Sequence, residues 1–275
     1  MIQQSLTDAA YIQKLFAYAN GTPKRSMGQN FLICPEVVEA ATTVIAAGPK
    51  HVTELGAGIG TLTQSLEAAG LTLRAIEKDD NLIDLLHRHL TDTTQIVHGD
   101  MQEIAWEWDT PYQVVGNIPY NLTGLIIRRL TQLHPAPTQA LFLVQEEVAR
   151  RLVATPPNMS LIGLSVQLWG QAQYVLHVPR NCFWPQPKVT SALVALTANP
   201  IQIPEREDVI AFAKICFQAK RKQLGGTLKR LKKYSDEDIK QAFAAIDMPS
   251  TARPQELSST QWLTLWHHLE NTPAE

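Results

Sequence analysis

The sequence predicts a doubly wound α/β domain followed by a small helical domain, on three observations. Short apolar runs alternate with helix-period segments between residues 35 and 153, which implies a parallel sheet covered on both faces. Glycines and polar residues fall where those runs end, and open parallel sheets bind ligands beyond the carboxyl ends of their strands. After about Pro204 the alternation stops and helical segments follow one another. The boundary is placed at Asn199-Pro200, giving domains of residues 1–199 and 200–275.

The elements follow in order. Residues 7–19 read as a helix with Leu15, Phe16 and Tyr18 on its apolar side, and Pro23 to Asn30 as an ordered, polar and basic arm. Pro35 opens a helix to Ala47, with Val37, Val38, Ala41, Val44 and Ile45 at helical spacing. Strands are expected at 51–55, 73–77, 95–98, 112–116 and 140–145. Helices are expected at 61–69, at 81–90, after Leu122 and at 146–153. The second domain holds helical segments at 206–222, 225–233, 235–246 and 255–269.

Composition excludes several classes. With 45% hydrophobic and 18% charged residues the chain suits a soluble globular protein. No apolar run reaches the roughly 18 residues of a membrane span. The first residues lack a basic segment followed by an apolar one, so neither membrane nor secretion is expected. Cys34, Cys182 and Cys216 are scattered, odd in number and without a Cys-x-x-Cys pair. They read as reduced thiols of a cytoplasmic protein rather than a disulfide frame or zinc site. The histidines show no metal-ligand spacing, and His87 and His89 fit a solvated helix, so no metal is expected. A monomer is expected. Positive charge is concentrated: residues 220–233 carry seven basic residues and no acid, which leaves −9 on the rest of a chain of net charge −2. Lys220, Arg221, Lys222, Lys229 and Arg230 are the candidate nucleic-acid contacts, against the alternative of a solvated helix face.

Four strand ends carry the candidate chemistry. Gly56-Ala57-Gly58-Ile59-Gly60 ends one strand and opens a helix, where glycine lets the backbone approach a ligand. The spacing is not that of a dinucleotide fingerprint, and no basic residue stands by for a phosphate. An acid-flanked, uncharged turn suits the zwitterion S-adenosylmethionine, whose amino group Glu54 attracts. Glu77 lies 21 residues after Gly56, where an acid binds ribose hydroxyls, and Asp100 ends the third strand, placed to accept from the cofactor's adenine amine. The fourth strand ends in Asn117-Ile118-Pro119-Tyr120. An Asn carbonyl and the Ile118 or Pro119 backbone carbonyl can accept from the exocyclic amine of a target adenine, and the Tyr120 ring offers a stacking face. Read as a set, these residues signal a methyltransferase.

The sequence resembles the rRNA adenine N6-methyltransferase family, and within it the bacterial small-subunit rRNA adenine dimethyltransferases, from about Lys24 to Leu231. The resemblance is carried by Ser26-Met27-Gly28-Gln29-Asn30-Phe31-Leu32, by Glu54 to Thr63 and by Asn117 to Asn121. Gln145 to Leu152 and Phe183 to Ser191 extend it. It implies a Rossmann-like class I methyltransferase sheet with S-adenosylmethionine as cofactor. Asn30, Leu32, Gly56, Glu77, Asp100 and Asn117 are then expected in the cofactor pocket, and Tyr120 and Phe183 around the target adenine. Without the resemblance, Phe183 reads as a core aromatic in a proline-rich loop. The implied activity is dimethylation of two adjacent adenosines in a hairpin loop near the 3′ end of small-subunit rRNA, with the immature small subunit as partner.

One departure stands out. Where the family reads roughly Arg-Arg-Lys-Thr-Leu-Arg-Asn-Asn-Leu, this chain has Lys220-Arg221-Lys222-Gln223-Leu224-Gly225-Gly226-Thr227-Leu228. The competing readings are a resistance-type methyltransferase acting on one adenine of large-subunit rRNA, and a non-enzymatic assembly or transcription factor of the same fold. Protein-glutamine and DNA-adenine methyltransferases differ in carrying proline where Ile118 stands.

Overall fold

The computed structural model describes residues 6–18, 22–219 and 222–270. The chain divides into two compact units, Met1–Ala149 with Gln173–Ala198 and Arg150–Ala172 with Asn199–Glu275. The second unit thus holds residues 150–172 besides the segment expected from the sequence. Packing is the reason. In α7 (Leu161–Trp169), Leu164 and Leu168 are buried in the same core as Val209, Phe212 and Trp262.

The first unit opens with α1 (Ala9–Tyr18), β1 (Phe31–Leu32), α2 (Pro35–Ala46), β2 (His51–Leu55), α3 (Thr61–Ala68), β3 (Thr72–Glu77), α4 (Asp80–His89) and β4 (Gln95–His98). There follow β5 (Tyr112–Asn117), α5 (Thr123–Gln132), β6 (Gln139–Gln145) and α6 (Glu146–Leu152), in which the first unit ends. The chain returns to it within β7 (Gly170–Val178), and β8 (Phe183–Trp184) and β9 (Ser191–Ala198) complete it.

Seven strands form one sheet in the order β4-β3-β2-β5-β6-β9-β7. The five expected strands pair in parallel, from His51↔Thr72 and His51↔Tyr112 outward. Strand β9 extends the sheet antiparallel to β6, with Gln145 opposite Ser191. Ala140 to Val144 of β6 are all buried, as an apolar run covered on both faces requires. On one face Val52, Leu73, Val115 and Leu141 pack with Val38, Ala41 and Ile45 of α2. On the other, Thr53 donates to the Trp106 carbonyl, and the Arg129 guanidinium of α5 lies 4.6 Å from the Trp106 ring centre. Each fully buried aliphatic side chain contributes about 1.5–3 kcal/mol, so this double cover fixes the strand ends that carry the candidate residues.

A second, two-stranded sheet pairs β1 with β8, with Phe31 opposite Trp184 and Leu32 opposite Phe183. The Ile33 amide donates to the Cys182 carbonyl at 2.8 Å. That register brings Cys34 to Cys182, with Cα atoms 4.9 Å apart, and the two form a disulfide. Cys216 is buried and free. The expectation of three reduced thiols is therefore corrected: strand pairing joins cysteines 148 residues apart, a proximity that spacing conceals. His87 is exposed on α4, whereas His89 is half-buried with Nε2 at 3.1 Å from the Tyr11 hydroxyl.

In the second unit α7 packs with α8 (Arg206–Phe217), α9 (Leu224–Arg230), α10 (Asp236–Ala245) and α11 (Ser259–Glu270). Trp262 stacks on Phe217 at 5.6 Å in the centre of that core. A reciprocal cap between Ser235 and Asp238 starts α10. Among the described residues no helix is long and apolar enough to cross a membrane.

Candidate active site

The carboxyl ends of β2, β3, β4 and β5 surround a cavity of about 270 Å³ in the first unit. Of the residues expected there, Asn30, Leu32, Gly56, Glu77, Asp100, Asn117 and Pro119 line it. The glycine turn is built as its chemistry requires. Gly56 and Gly58 have φ of +71° and +61°, in the left-handed region that a side chain disfavours. A Cβ on Gly56 would stand 3.1 Å from Met101 Cε, and one on Gly58 3.3 Å from the Phe31 ring.

Two acids serve this turn. Glu77 accepts the amides of Gly58, Lys78 and Asp79, each at 2.8 Å, so its carboxylate is held rigidly at the end of β3. Burial raises its pKa above the usual carboxylate range, against these three amides. Glu54 is 2% exposed, lines the cavity, and its Oε2 has no hydrogen-bond partner among the described residues. Burial pushes its pKa up to about 8 against the lowering effect of the Thr63 side chain, and the charge of Glu77 adds to the rise. An unpaired carboxyl oxygen in a cavity wall calls for a cationic or donor ligand.

Asp100 accepts the Lys78 ammonium at 2.7 Å and the Gln102 amide at 2.8 Å. Burial alone would raise its pKa, but these bonds, Lys78 first, hold it below the ordinary value. Nothing in the spacing of Lys78 or Gln102 along the chain marks them as partners of Asp100.

Asn117 ends β5 with its Nδ2 donating to the Asn30 carbonyl at 2.7 Å. The arm thereby fixes the amide, leaving Oδ1 as the acceptor. Ile118 is 1% exposed, its amide donating to the Leu143 carbonyl at 3.2 Å. The Pro119 carbonyl is engaged by the Leu122 amide at 2.8 Å. Tyr120 is half-buried, and its hydroxyl lies 2.7 Å from Ser191 Oγ, which anchors the ring. Burial raises the Tyr120 pKa, so its phenol stays neutral at physiological pH.

Phe183 stands apart. It is 2% exposed and packed with Leu32, Val38 and Cys182, and like Ile118 and Tyr120 it is not among the cavity-lining residues. Its backbone pairs with Leu32 across the β1–β8 register, next to the Cys34–Cys182 disulfide.

Of the basic candidates, Lys220 and Arg221 lie outside the described residues. Lys222, Lys229 and Arg230 are exposed in the second unit, while Leu224, Thr227 and Leu228 of α9 face its core. Lys229 pairs with Asp236 at 2.8 Å. The glycine pair that departs from the family resolves into two cases. A Cβ on Gly225 would stand 2.7 Å from the Ser250 carbonyl oxygen, whereas one on Gly226 meets nothing within 4 Å.

Comparison with known proteins gives the family and the fold. The family model for ribosomal RNA adenine dimethylase matches residues 20–270. The chain is 31% identical to ribosomal RNA small subunit methyltransferase A of Mycoplasma mobile, covering 90% of this chain and 98% of that protein. It is 34% identical to the protein of the same name from Synechococcus sp. (strain JA-3-3Ab), covering 91% and 95%. Among solved structures, a dimethyladenosine transferase from Plasmodium falciparum superposes with a TM-score of 0.73 at 22% identity, covering 87% of this chain and 97% of that one. The 23S rRNA methyltransferase ErmE gives 0.71 at 24%, covering 88% and 100%, and both likenesses speak to fold. The chain belongs to the ribosomal RNA adenine dimethylase family.

Proposed function

We propose that this protein dimethylates the N6 amines of two adjacent adenosines in a hairpin loop near the 3′ end of small-subunit rRNA, during small-subunit assembly, with S-adenosylmethionine as methyl donor. The observation that carries the reading is the convergence of Glu54, Glu77, Asp100 and the arm-oriented Asn117 on one cavity. The cavity fits the donor: glycine without a Cβ at its floor, an unpaired buried carboxyl oxygen for an ammonium, and a fixed carboxylate for ribose hydroxyls. When bound there, S-adenosylmethionine supplies an electrophilic methyl group on a sulfonium.

The chain's own residues position the acceptor. An adenine amine is a weak nucleophile because its lone pair is shared with the ring. Asn117 Oδ1 and the Ile118 carbonyl accept its two hydrogens and favour a pyramidal nitrogen with its lone pair turned to the cavity. The engagement of the Pro119 carbonyl by Leu122 makes Ile118 the better backbone acceptor. Tyr120, anchored by Ser191, gives the base a stacking face. This is catalysis by positioning and fixed dipoles, and it needs no strong general base. Such a site takes an unpaired or flipped adenine. The exposed Lys222, Lys229 and Arg230 supply sequence-independent phosphate contacts. The reading implies a protein that works in the cytoplasm, where bacterial ribosomal subunits assemble.

The test is transfer of labelled methyl groups to purified small or large ribosomal subunits from cells lacking the protein. The expected result is N6,N6-dimethyladenosine in small-subunit rRNA. Label confined to large-subunit rRNA favours the resistance-type reading, and label in neither favours a non-enzymatic factor.

A further inference from the structure

Asp79 is a buried acid for which the mechanism above has no use. Its side chain is 3% exposed, and it stands two residues beyond the ribose acceptor Glu77. Its Oδ1 accepts the Lys24 ammonium at 2.6 Å and the Asn81 amide at 3.1 Å, which caps α4. Its Oδ2 accepts Gln29 Nε2 at 2.7 Å. Gln29 in turn accepts the Lys24 amide at 2.6 Å, so Lys24, Gln29 and Asp79 form a closed ring of hydrogen bonds.

The ring sits at one end of the arm. Residues 26–32 all line the cavity, so the arm covers whatever the cavity holds. At its far end the arm is anchored by Phe31, which packs 5.1 Å from Phe16, and by the pairing of β1 with β8 beside the disulfide. Between the two ends Gly28, with φ of +67°, passes so close that a Cβ would stand 3.1 Å from Pro119. Asn30 then gives its carbonyl to Asn117. One end is thus held by apolar packing and a nearby disulfide, whereas among the described residues Lys24 and Gln29 tie the other to Asp79 through polar side chains that can exchange for water.

The Asp79 amide donates to Glu77 Oε1 at 2.8 Å. A ligand that engages the Glu77 carboxylate therefore acts on the peptide that positions the Asp79 carboxylate.

We infer that Asp79 is a positioning residue: with Lys24 and Gln29 it latches the arm over the cavity, and through its amide it links that latch to the ligand on Glu77. This rests on the cavity being the cofactor site. The latch sets how long the cofactor stays, and it keeps the Asn30 carbonyl where it orients Asn117.

The test compares wild type with Lys24→Met, Lys24→Arg, Asp79→Asn and the Lys24→Met/Asp79→Asn double variant. The dissociation rates of S-adenosylmethionine and of its non-reactive analogue sinefungin are measured by stopped flow. Thermal melting is followed in parallel. Lys24→Met and Asp79→Asn should each speed dissociation about tenfold, a change of about 1.4 kcal/mol. The double variant should be no faster than the faster single, because both remove one device. Lys24→Arg should restore slow release. Melting shifts without a change in dissociation, or fully additive effects, would overturn the latch. Failure of the wild type to bind either ligand would instead overturn the cofactor reading itself.

Discussion

Glu54→Gln removes an ionisable carboxyl from the cavity wall and should have opposite effects on stability and on ligand binding. The carboxyl has an ordinary value of 4.5 and is pushed up to about 8 by burial. Between those two values the unfolded chain carries an ionised Glu54 while the folded chain keeps it protonated, so folding takes up a proton. A group whose folded value is raised by losing solvation opposes folding more as pH rises, and the penalty is complete above about 8. At about 1.36 kcal/mol per pH unit this amounts to on the order of 5 kcal/mol at pH 8 and nothing below about 4.5. The amide has no such penalty. Glu54→Gln should therefore melt near the wild type at pH 5 and clearly above it at pH 8. Binding reverses the preference, because a cationic amine stabilises the carboxylate that burial disfavours. At pH 7 the wild type should release close to one more proton than the variant on binding S-adenosylmethionine, and it should bind more tightly. Calorimetry in two buffers of different ionisation enthalpy measures that difference. Equal proton release by the two proteins, or parallel melting curves across pH, would refute the assignment of Glu54.

Four further outcomes follow from the same structure. Asn117→Ala should slow single-turnover methyl transfer about 100- to 1,000-fold, as loss of a fixed hydrogen-bond partner at a reacting group does, while cofactor affinity changes far less. Alanine at Lys222, Lys229 and Arg230 together should weaken binding of an rRNA hairpin and lower its log–log salt slope by about 2–3, measured by fluorescence anisotropy. Gly226→Ala should stabilise the protein by about 0.5–1 kcal/mol in urea unfolding, and Gly225→Ala should destabilise it, because only the second collides with Ser250. Thiol titration of denatured, unreduced protein should find one free thiol, that of Cys216, and three after reduction. Three before reduction would count against the Cys34–Cys182 bond.

The parts of the fold legible in the sequence were those with a clear period. The five parallel strands and their helices could be read because buried runs such as Ala140 to Val144 end at sharp polar turns. Strand β9 was not read, although six of its eight residues are buried, because it lies beyond a proline-rich loop and pairs antiparallel with β6. The same loop hides the two-residue strand β8, too short to carry a pattern, and with it the disulfide. Residues 150–172 go to the second unit for a packing reason: an apolar helix such as Leu161–Trp169 does not declare which core it joins.

The candidate site divides in the same way. Gly56, Glu77, Asp100 and Asn117 were legible because strand ends converge on one side of a parallel sheet. Lys24 and Asp79 were not, since their contact spans 55 residues between an arm and a helix cap. The residues did announce themselves faintly: Asp79 follows Glu77 at a spacing of two, where a second acid has no obvious work, and Gln29 sits inside the Gly28 to Leu32 motif. Phe183 shows the converse: a motif names the residue, and its burial beside the Leu32 pairing is visible only in the structure.

The central claim is that this chain methylates adenine amines in small-subunit rRNA through the Asn117 pocket. Its most direct test is mass-spectrometric mapping of small-subunit rRNA from cells lacking the protein, complemented with wild type or Asn117→Ala. Paired N6,N6-dimethyladenosines should be absent in the deletion, restored by the wild type and not by the variant. Their persistence in the deletion, or their full restoration by Asn117→Ala, would contradict the account.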